Sequence, residues 1–360
     1  MTVGRLRPDS TVDQTIPAAP PTPIRFNGPV DGTDRAPIDV CAECGFRWEE
    51  YDDTTAVNAV RLGGAFYRGI LAGVDLDLAN RRPDDATWSI LEYVDHVRMA
   101  YAIWRGRTEV RLGRAGLDVP AYRGFQAGQA RFDDVEATVA AMDAEGTSFF
   151  DLYRRLEPAE WALTSESRLG LVDEHWIVRH QLHEVLHHGH DLGRLRHRLG
   201  DGVPHQVGTI AQLSVSGGGV PKAPVEAAEI GFRGLVGDTQ TDRVHHGRPF
   251  QAVCLYGLDV IEALQAEGHP IAPGSAGENV TVAGLEWATL RPGALVAVGD
   301  EVLLELSSYA TPCAKNAGWF AGGDFRRMDQ DRHPGWSRLY GTVLRPGTVR
   351  AGDPVVVEPA

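Results

Sequence analysis

The chain has 360 residues, of which 43% are hydrophobic, and a formal net charge of −14 at pH 7. Its length predicts two or three domains that can each bury a core, and its acidity argues against broad nucleic-acid binding, which needs a basic surface. The sequence has no run of about eighteen apolar residues and no apolar signal core, so we expect no membrane segment and a cytoplasmic location.

The beginning of the chain has no helical or strand periodicity. Residues 1–38 are rich in Pro, Ala, Thr and Asp, which predicts a disordered leader. Cys41 and Cys44 follow as a single CxxC pair, which is half a zinc site unless a second pair of Cys or His residues lies nearby. We expect a reduced turn of minor structural importance.

Apolar residues then recur with helical spacing in four stretches, at residues 54–81, 87–113, 133–156 and 172–199. Four helices joined by loops predict an up-down four-helix bundle over residues 39–203. Such bundles build metal sites in their cores, from side chains of facing helices.

The last of these helices carries the strongest chemical signal, because eight of the thirteen histidines lie between His175 and His205. At about 100° per residue, one face carries His180, His183, Glu184, His187, His188 and Asp191. Glu184 with His188, and His183 with His187, are each four residues apart, so either pair can reach one metal ion. A third ligand from elsewhere would leave an open, reactive position. The best candidate for it is His96, near the middle of the second helix.

After Gly200 the pattern changes to short β-rich runs separated by Gly and Pro, with one helix near residues 258–265. This predicts a β-barrel with few helices over residues 204–360, and a multidomain α and β protein whose halves fold independently. Only two lysines occur, Lys222 and Lys315, which makes each a candidate for contact with an anion or carbonyl group. Cys254 lies in an apolar run and is predicted to be a core thiol.

The helical half resembles the DinB-like four-helix bundle superfamily over roughly residues 40–200. The resemblance rests on Trp88-Ser89, Glu92-Tyr93, Asp95-His96 and His183-Glu184…His187-His188…Asp191-Leu192-Gly193-Arg194. Members bind a divalent metal, often zinc or nickel, through a histidine of the second helix and a pair of residues four apart on the last. The resemblance therefore implies His96, Glu184 and His188 as ligands, with His187 and Asp191 orienting them.

The Glu-x-x-x-His spacing of Glu184 and His188 resembles that of the branch of this superfamily that includes mycothiol-dependent isomerases. Some relatives of that branch are low-molecular-weight thiol transferases, in which the metal lowers the pKa of a thiol and holds its thiolate for attack.

The second half resembles the MOSC domain, named for the C-terminal part of molybdenum cofactor sulfurase, over about residues 207–358. The similar segments, in order, are Ser216 to Lys222, Gly237 to Gln240 with His245-His246-Gly247, Gly277 to Val280, Thr311 to Lys315, and Gly352-Asp353. The resemblance implies that Cys313 either carries sulfur as a persulfide or ligates molybdenum in a bound pterin cofactor. Lys315, two residues later, would favour the thiolate.

A basic rim for a phosphate-bearing cofactor is expected from Lys222, Arg243, His246 and Arg248. Glu278 and Asn279 either contact this cofactor or hold a Gly-rich turn through side-chain hydrogen bonds.

We therefore expect a cytoplasmic enzyme with cysteine-based sulfur or molybdenum-cofactor chemistry in the MOSC domain and a bound metal in the DinB-like domain. The alternatives are a metal-dependent thiol S-transferase or isomerase, and a non-catalytic carrier or sensor of cofactor and metal. A small thiol or sulfur-containing molecule is the expected substrate.

Overall fold

The computed structural model describes residues 40–41, 43–114, 127–167, 170–240 and 249–358. The leader predicted at residues 1–38 lies outside the described residues. Within them, no helix is both long enough and apolar enough to span a membrane. The helical part ends at Arg198, and the β-rich part begins at Gln206.

The helical part contains seven α-helices and one hairpin among the described residues. They are α1 (Asp53–Val60), α2 (Gly63–Ile70), α3 (Leu76–Asn80), α4 (Ile90–Arg111), α5 (Val135–Tyr153), α6 (Pro158–Trp161), the hairpin β1 (Thr164–Ser167) and β2 (Gly170–Asp173), and α7 (Glu174–Arg198). The first predicted helix is thus divided into α1, α2 and α3. Its first break precedes Gly63 and Gly64, and glycine is a poor helix former.

The segment α1–α2 packs against α5 and α7. Arg179, near the start of α7, donates a hydrogen bond of 2.6 Å to Asp53 at the start of α1, so these helices are parallel. Arg68, near the end of α2, donates a bond of 2.8 Å to Glu136 at the start of α5, so those two are antiparallel.

Helix α4 also packs against α5 and α7. Thr108 and Tyr153 are 3.0 Å apart through their hydroxyl groups near the ends of α4 and α5, which are therefore parallel. Trp104 contacts Trp176 at the start of α7, with ring centroids 5.8 Å apart, so α4 and α7 are antiparallel.

The predicted four-helix bundle is confirmed, and its four members are α1–α2, α4, α5 and α7. Their directions are up, down, down and up, which differs from simple up-down alternation. Helix α5 begins beside the first turn of α4 and not beside its last turn, which accounts for the difference. The backbone N–H of Gly128, just before α5, donates a bond of 2.6 Å to Glu92 in the first turn of α4.

The second half forms a closed sheet with a smaller sheet beside it. Its elements are β3 (Gln206–Val215), β4 (Ala223–Val225), β5 (Ala227–Gly231), β6 (Gly234–Leu235), β7 (Val253–Gly257), α8 (Leu258–Ala266), β8 (Val280–Ala283), β9 (Leu295–Val298), β10 (Val302–Tyr309), β11 (Leu339–Arg345), β12 (Gly347–Arg350) and β13 (Pro354–Glu358). The sheet closes in the order β13, β9, β10, β11, β7, β8, β3, because β13 pairs with both β9 and β3. This seven-stranded barrel confirms the predicted β-barrel with few helices.

The two halves touch through a packed interface between α2, α7 and β10. Phe250, from the second half, belongs to the hydrophobic core of the helical bundle. His190 of α7 and Glu305 of β10 are both buried, and Nδ1 lies 2.6 Å from Oε2. The backbones of Gly193 and Gly293 approach so closely that a Cβ atom on Gly193 would lie 2.7 Å from the carbonyl oxygen of Gly293.

Candidate functional site

Capping interactions fix the starts of the two helices that carry the candidate metal ligands. In α4, Ser89 accepts a hydrogen bond from the backbone of Glu92 (3.3 Å), and the Glu92 carboxylate accepts one from the backbone of Ser89 (2.8 Å). In α7, Asp173 accepts a bond of 2.7 Å from the backbone of Trp176. These caps stabilise the first turns, from which the rotational position of every later side chain follows.

The structure brings His96, Glu184 and His188 together between α4 and α7. The Nε2 atom of His96 lies 3.1 Å from Oε2 of Glu184, and Nε2 of His188 lies 3.4 Å from the same oxygen. Zinc bonds of about 2.0–2.2 Å place neighbouring N and O ligands about 3–4 Å apart. The donor set and its spacing therefore fit one divalent ion, with three protein ligands, one fewer than tetrahedral zinc takes.

Side chains around this group can hold its imidazole rings in place. Nδ1 of His188 lies 2.9 Å from Oδ2 of Asp191, an arrangement that orients metal-binding histidines in many proteins. The ring of Trp88 is 4.9 Å from that of His96, and the ring of Tyr93 is 5.4 Å from that of His188, measured between centroids.

The charges in this group stabilise one another. Burial opposes ionisation of Glu184, but its hydrogen bonds to His188 and His96 hold its pKa well below the usual range. Burial likewise opposes protonation of His188, yet Asp191 and Glu184 outweigh it and raise the pKa of His188 to about 9. For His96, burial dominates and lowers the pKa. Without a metal, the group is thus a buried carboxylate paired with a charged imidazole.

The second histidine pair of α7 faces a different neighbour. His183 and His187 lie beside Cys41 and Cys44, and one ligand atom from each of the four residues falls within 4.8 Å of the others. Cys44, His183 and His187 are buried. Interaction with Cys44, and less strongly with the two histidines, lowers the pKa of Cys41 well below that of a free thiol. The CxxC pair therefore lies beside a second pair of possible metal ligands, whereas the sequence predicted a turn of minor structural importance.

A pocket of about 100 Å³ opens on the barrel and contains half of the residues predicted for the C-terminal site. Four of the predicted residues line it, namely Lys222, Asn279, Cys313 and Lys315. Cys313 is exposed. Arg243, His246 and Arg248 lie outside the described residues.

Glu278 and Asn279 form hydrogen bonds with segments beside the pocket. Glu278 is fully buried, and its Oε1 atom accepts a hydrogen bond of 2.6 Å from the backbone of Gly274. This is the interaction expected of a residue that holds the Gly-rich turn. Asn279 donates through Nδ2 to Asp238 (3.0 Å). The same Asp238 carboxylate lies 2.5 Å from Nζ of Lys222, which offsets much of the positive charge of that lysine.

Arg338 is a pocket residue that the sequence reasoning missed. It is buried, lines the pocket, and donates through one terminal nitrogen to the carbonyl oxygen of Ala276. Its Nε atom is buried with no hydrogen-bond partner among the described residues. A single arginine in an arginine-rich chain gives no sequence signal, so only the fold identifies it as a cation available to a ligand.

Comparison with known proteins gives one relative by sequence. The protein YflK of Bacillus subtilis (strain 168) is 32% identical over 136 residues, which cover 37% of this chain and 60% of YflK. The chain therefore spans less than two thirds of the length of this relative.

Solved structures resemble parts of the chain. The YuaD protein of Bacillus subtilis is 16% identical, covers 44% of this chain and 98% of its own, and has a TM-score of 0.34. YiiM of Geobacillus stearothermophilus is 23% identical, with 43% and 75% covered and a TM-score of 0.33. YfiT of Bacillus subtilis, described as a probable metal-dependent hydrolase with an unusual four-helix bundle topology, is 13% identical, with 41% and 87% covered and a TM-score of 0.33.

Family models match both halves of the chain. Residues 65–192 match the DinB superfamily, and residues 242–356 match the MOSC domain. The first match contains all three residues of the His96–Glu184–His188 group, and the second contains Cys313. The chain therefore joins a region that matches the DinB superfamily to a region that matches the MOSC domain.

Proposed function

We propose that the protein is an enzyme whose MOSC domain carries out sulfur chemistry at Cys313 on a small anionic or thiol-containing substrate. The observation that carries this proposal is the position of an exposed cysteine at a pocket that Lys315 and Arg338 also line. A thiolate is the nucleophile of sulfur transfer, and positive neighbours stabilise it. They also attract an anionic substrate.

The same pocket offers donor groups for a molybdenum cofactor. A sulfur atom and several cations are suitable donors for the metal and for a phosphate group. However, a pocket of about 100 Å³ is smaller than the roughly 300–1,000 Å³ that encloses a whole cofactor-sized ligand. The pocket formed by the described residues fits only one end of such a molecule, and the proposed reaction uses no molybdenum.

In the proposed reaction, the Cys313 thiolate attacks the outer sulfur of a persulfide, R–S–SH. A bond forms between Sγ and this outer sulfur, and the sulfur–sulfur bond of the substrate breaks. The product thiolate, R–S⁻, leaves, and Cys313 becomes a persulfide, so the total charge is unchanged. Lys315 and Arg338 would stabilise the departing negative charge.

This proposal is tested by treating the purified protein with a low-molecular-weight persulfide and mapping its peptides by mass spectrometry. One additional sulfur should appear on Cys313, and it should be absent from Cys313→Ser. Cys254→Ser is the matched control and should still acquire the sulfur. Modification of Cys254 alone, or of no cysteine in folded protein, would contradict the proposal.

A second candidate function is metal-dependent thiol chemistry in the helical domain. It is favoured by the convergence of His96, Glu184 and His188 on one small volume. A divalent metal held there, zinc or nickel, would lower the pKa of a bound thiol. The protein residues would bind the ion, and Asp191 would keep the ring of His188 in position.

The test of this second function is the metal content of purified variants. Glu184→Ala and His188→Ala should each lower metal binding strongly while the protein still unfolds cooperatively. His175→Ala provides the control, because His175 lies on the same helix and 43% of its side chain is exposed. Unchanged metal content in both variants would exclude this ligand set.

A further inference from the structure

A tight turn presents both cysteines of the CxxC pair to the helical bundle. Val40 and Arg47 pair across an antiparallel bridge on either side of it. Gly45 donates a backbone hydrogen bond of 2.9 Å to the carbonyl oxygen of Cys41. Gly45 has a φ of 71°, a left-handed conformation that glycine adopts without steric cost. This turn brings the sulfur atoms of Cys41 and Cys44 within 4.8 Å of each other.

One turn of α7 completes a set of four ligands. The Nδ1 atom of His187 lies 3.7 Å from Sγ of Cys41, and His183 lies one helical turn before His187. In tetrahedral zinc sites, bonds of about 2.3 Å to sulfur and 2.0–2.1 Å to nitrogen separate the ligand atoms by about 3.3–3.8 Å. The four ligand atoms, all within 4.8 Å of one another, therefore surround a volume suited to one ion.

An unpaired polar atom gives an independent sign of a ligand. The Nε2 atom of His183 is buried and has no hydrogen-bond partner among the described residues. Buried polar atoms in proteins nearly always have a partner, so such an atom requires an explanation. The ring of His183 packs against Phe46 and Trp48, with centroids 5.1 and 4.8 Å away. These rings shield His183 from water. A metal ion is then the partner that His183 can share with the neighbouring sulfur atoms.

The outer nitrogen of His187 has acidic neighbours. Its Nε2 atom lies 3.4 Å from Oε2 of Glu43 and 3.6 Å from Oδ2 of Asp191, while Nδ1 points to Cys41. Carboxylates beside the second nitrogen of a metal-binding imidazole fix its tautomer and its orientation. The nitrogen that faces the sulfur atoms is then the one with a free electron pair.

We propose that zinc is bound by a second group of residues, namely Cys41, Cys44, His183 and His187. Two sulfurs with two imidazoles in tetrahedral arrangement favour zinc. Four protein ligands close the coordination shell, so this zinc has a structural role, in contrast to a metal on His96, Glu184 and His188. As zinc binds, the thiols release their protons to water. The ion fastens the segment before α1 to the centre of α7.

The experiment measures zinc per chain in the purified full-length protein. Cys41→Ser/Cys44→Ser should lose about one equivalent of zinc and keep the metal of the other group, whereas Glu184→Ala should show the reverse loss. Cys254→Ser and Cys313→Ser are the control variants and should keep the full content. A folded double serine variant with unchanged zinc would overturn the proposal.

A spectroscopic measurement keeps the test decisive if the double variant does not fold. With cobalt in place of zinc, the wild-type protein should show a sulfur-to-cobalt charge-transfer band and intense visible bands of tetrahedral cobalt. Both should persist in the two control variants. Absence of the sulfur band in cobalt-loaded wild type, or a Cys41–Cys44 disulfide in metal-free protein isolated under reducing conditions, would overturn the site.

Discussion

At the scale of single residues, the two cysteines of the barrel pocket, Cys313 and Cys254, differ in exposure. Cys313 is exposed, whereas Cys254 is buried on β7, and this burial raises its pKa. Reactivity depends on access to the sulfur and on the fraction of thiolate. Although both residues line the same pocket, only Cys313 meets the first of these conditions.

We predict that a limiting thiol reagent at near-neutral pH labels Cys313 faster than Cys254. Lys315→Ala should slow the labelling of Cys313, because it removes a positive charge from the same pocket. Peptide mapping over time measures both rates. Faster labelling of Cys254 would contradict the prediction, as would an unreactive Cys313 on which mass spectrometry finds no bound ligand.

Glu278, next to the pocket residue Asn279, shows how burial of an ionisable group affects stability. Its Oε1 atom accepts hydrogen bonds from the backbone of Gly274 and from Thr281, while Oε2 is buried without a partner among the described residues. Burial therefore raises the pKa of Glu278 above the ordinary value of 4.5. Folding favours its protonated form, so the stabilisation is complete below the unfolded-state pKa and is lost as pH rises through the folded-state pKa.

Glu278→Gln should remove this pH dependence, because glutamine keeps the acceptor oxygen and has no ionisable proton. The free energy of unfolding of the variant, relative to wild type, should be higher at pH 8 than at pH 5. Urea denaturation at the two pH values measures the difference. An equal difference at both values would show that ionisation of Glu278 does not affect stability.

At the scale of elements, glycines allow α2 to pack closely against its neighbours. A Cβ atom on Gly189 of α7 would lie 2.3 Å from the ring of Phe66 and 3.3 Å from Ile70. A Cβ atom on Gly64 of α2 would lie 2.3 Å from the carboxyl carbon of Asp143 in α5. The distance between these helices therefore depends on the missing side chains, and His188 and His190 flank Gly189.

Gly189→Ala should destabilise the protein by about 1–3 kcal/mol, since the added methyl group forces Phe66 out of a filled core. Urea denaturation measures the change. Gly318→Ala is a suitable control, because a Cβ atom there would have no neighbour within 4 Å. Adding Phe66→Leu should restore part of the loss, and no effect of Gly189→Ala alone would contradict the observed packing.

At the scale of the whole molecule, the domain interface joins a bundle core to the barrel. Phe250 packs against Phe66, with ring centroids 6.0 Å apart. His190 and Glu305 form a buried polar contact nearby. Such an interface stabilises both halves in the intact chain, although each half also has a hydrophobic core of its own.

We predict that residues 39–203 and 204–360 each fold alone, and that the helical half is less stable than in the intact chain. Its stability falls because separation removes Phe250 from its core and leaves His190 without Glu305. Thermal unfolding followed by circular dichroism measures both halves. If neither half melts cooperatively, the boundary is wrong or the two halves share one core.

Local periodicity in the sequence determined the type of secondary structure in each half and part of the candidate metal-binding group. The spacing of apolar residues predicted a helical half followed by a β-rich half. The spacing of Glu184 and His188 placed two candidate ligands on one face of a helix. His96 became the third candidate through its position on another helix together with the family resemblance, and the structure brings all three together. These features depend on the geometry of one helix or strand, which neighbouring residues specify.

Tertiary structure alone decided which distant segments meet. It set the directions of α4 and α5, placed Arg338 in the pocket, and brought the CxxC pair to His183 and His187. Cys41 and His187 are 146 positions apart. Periodicity identifies the face that a helix buries, but not the partner that covers it. That choice depends on loop lengths and on the packing of whole surfaces, which no single stretch of sequence contains.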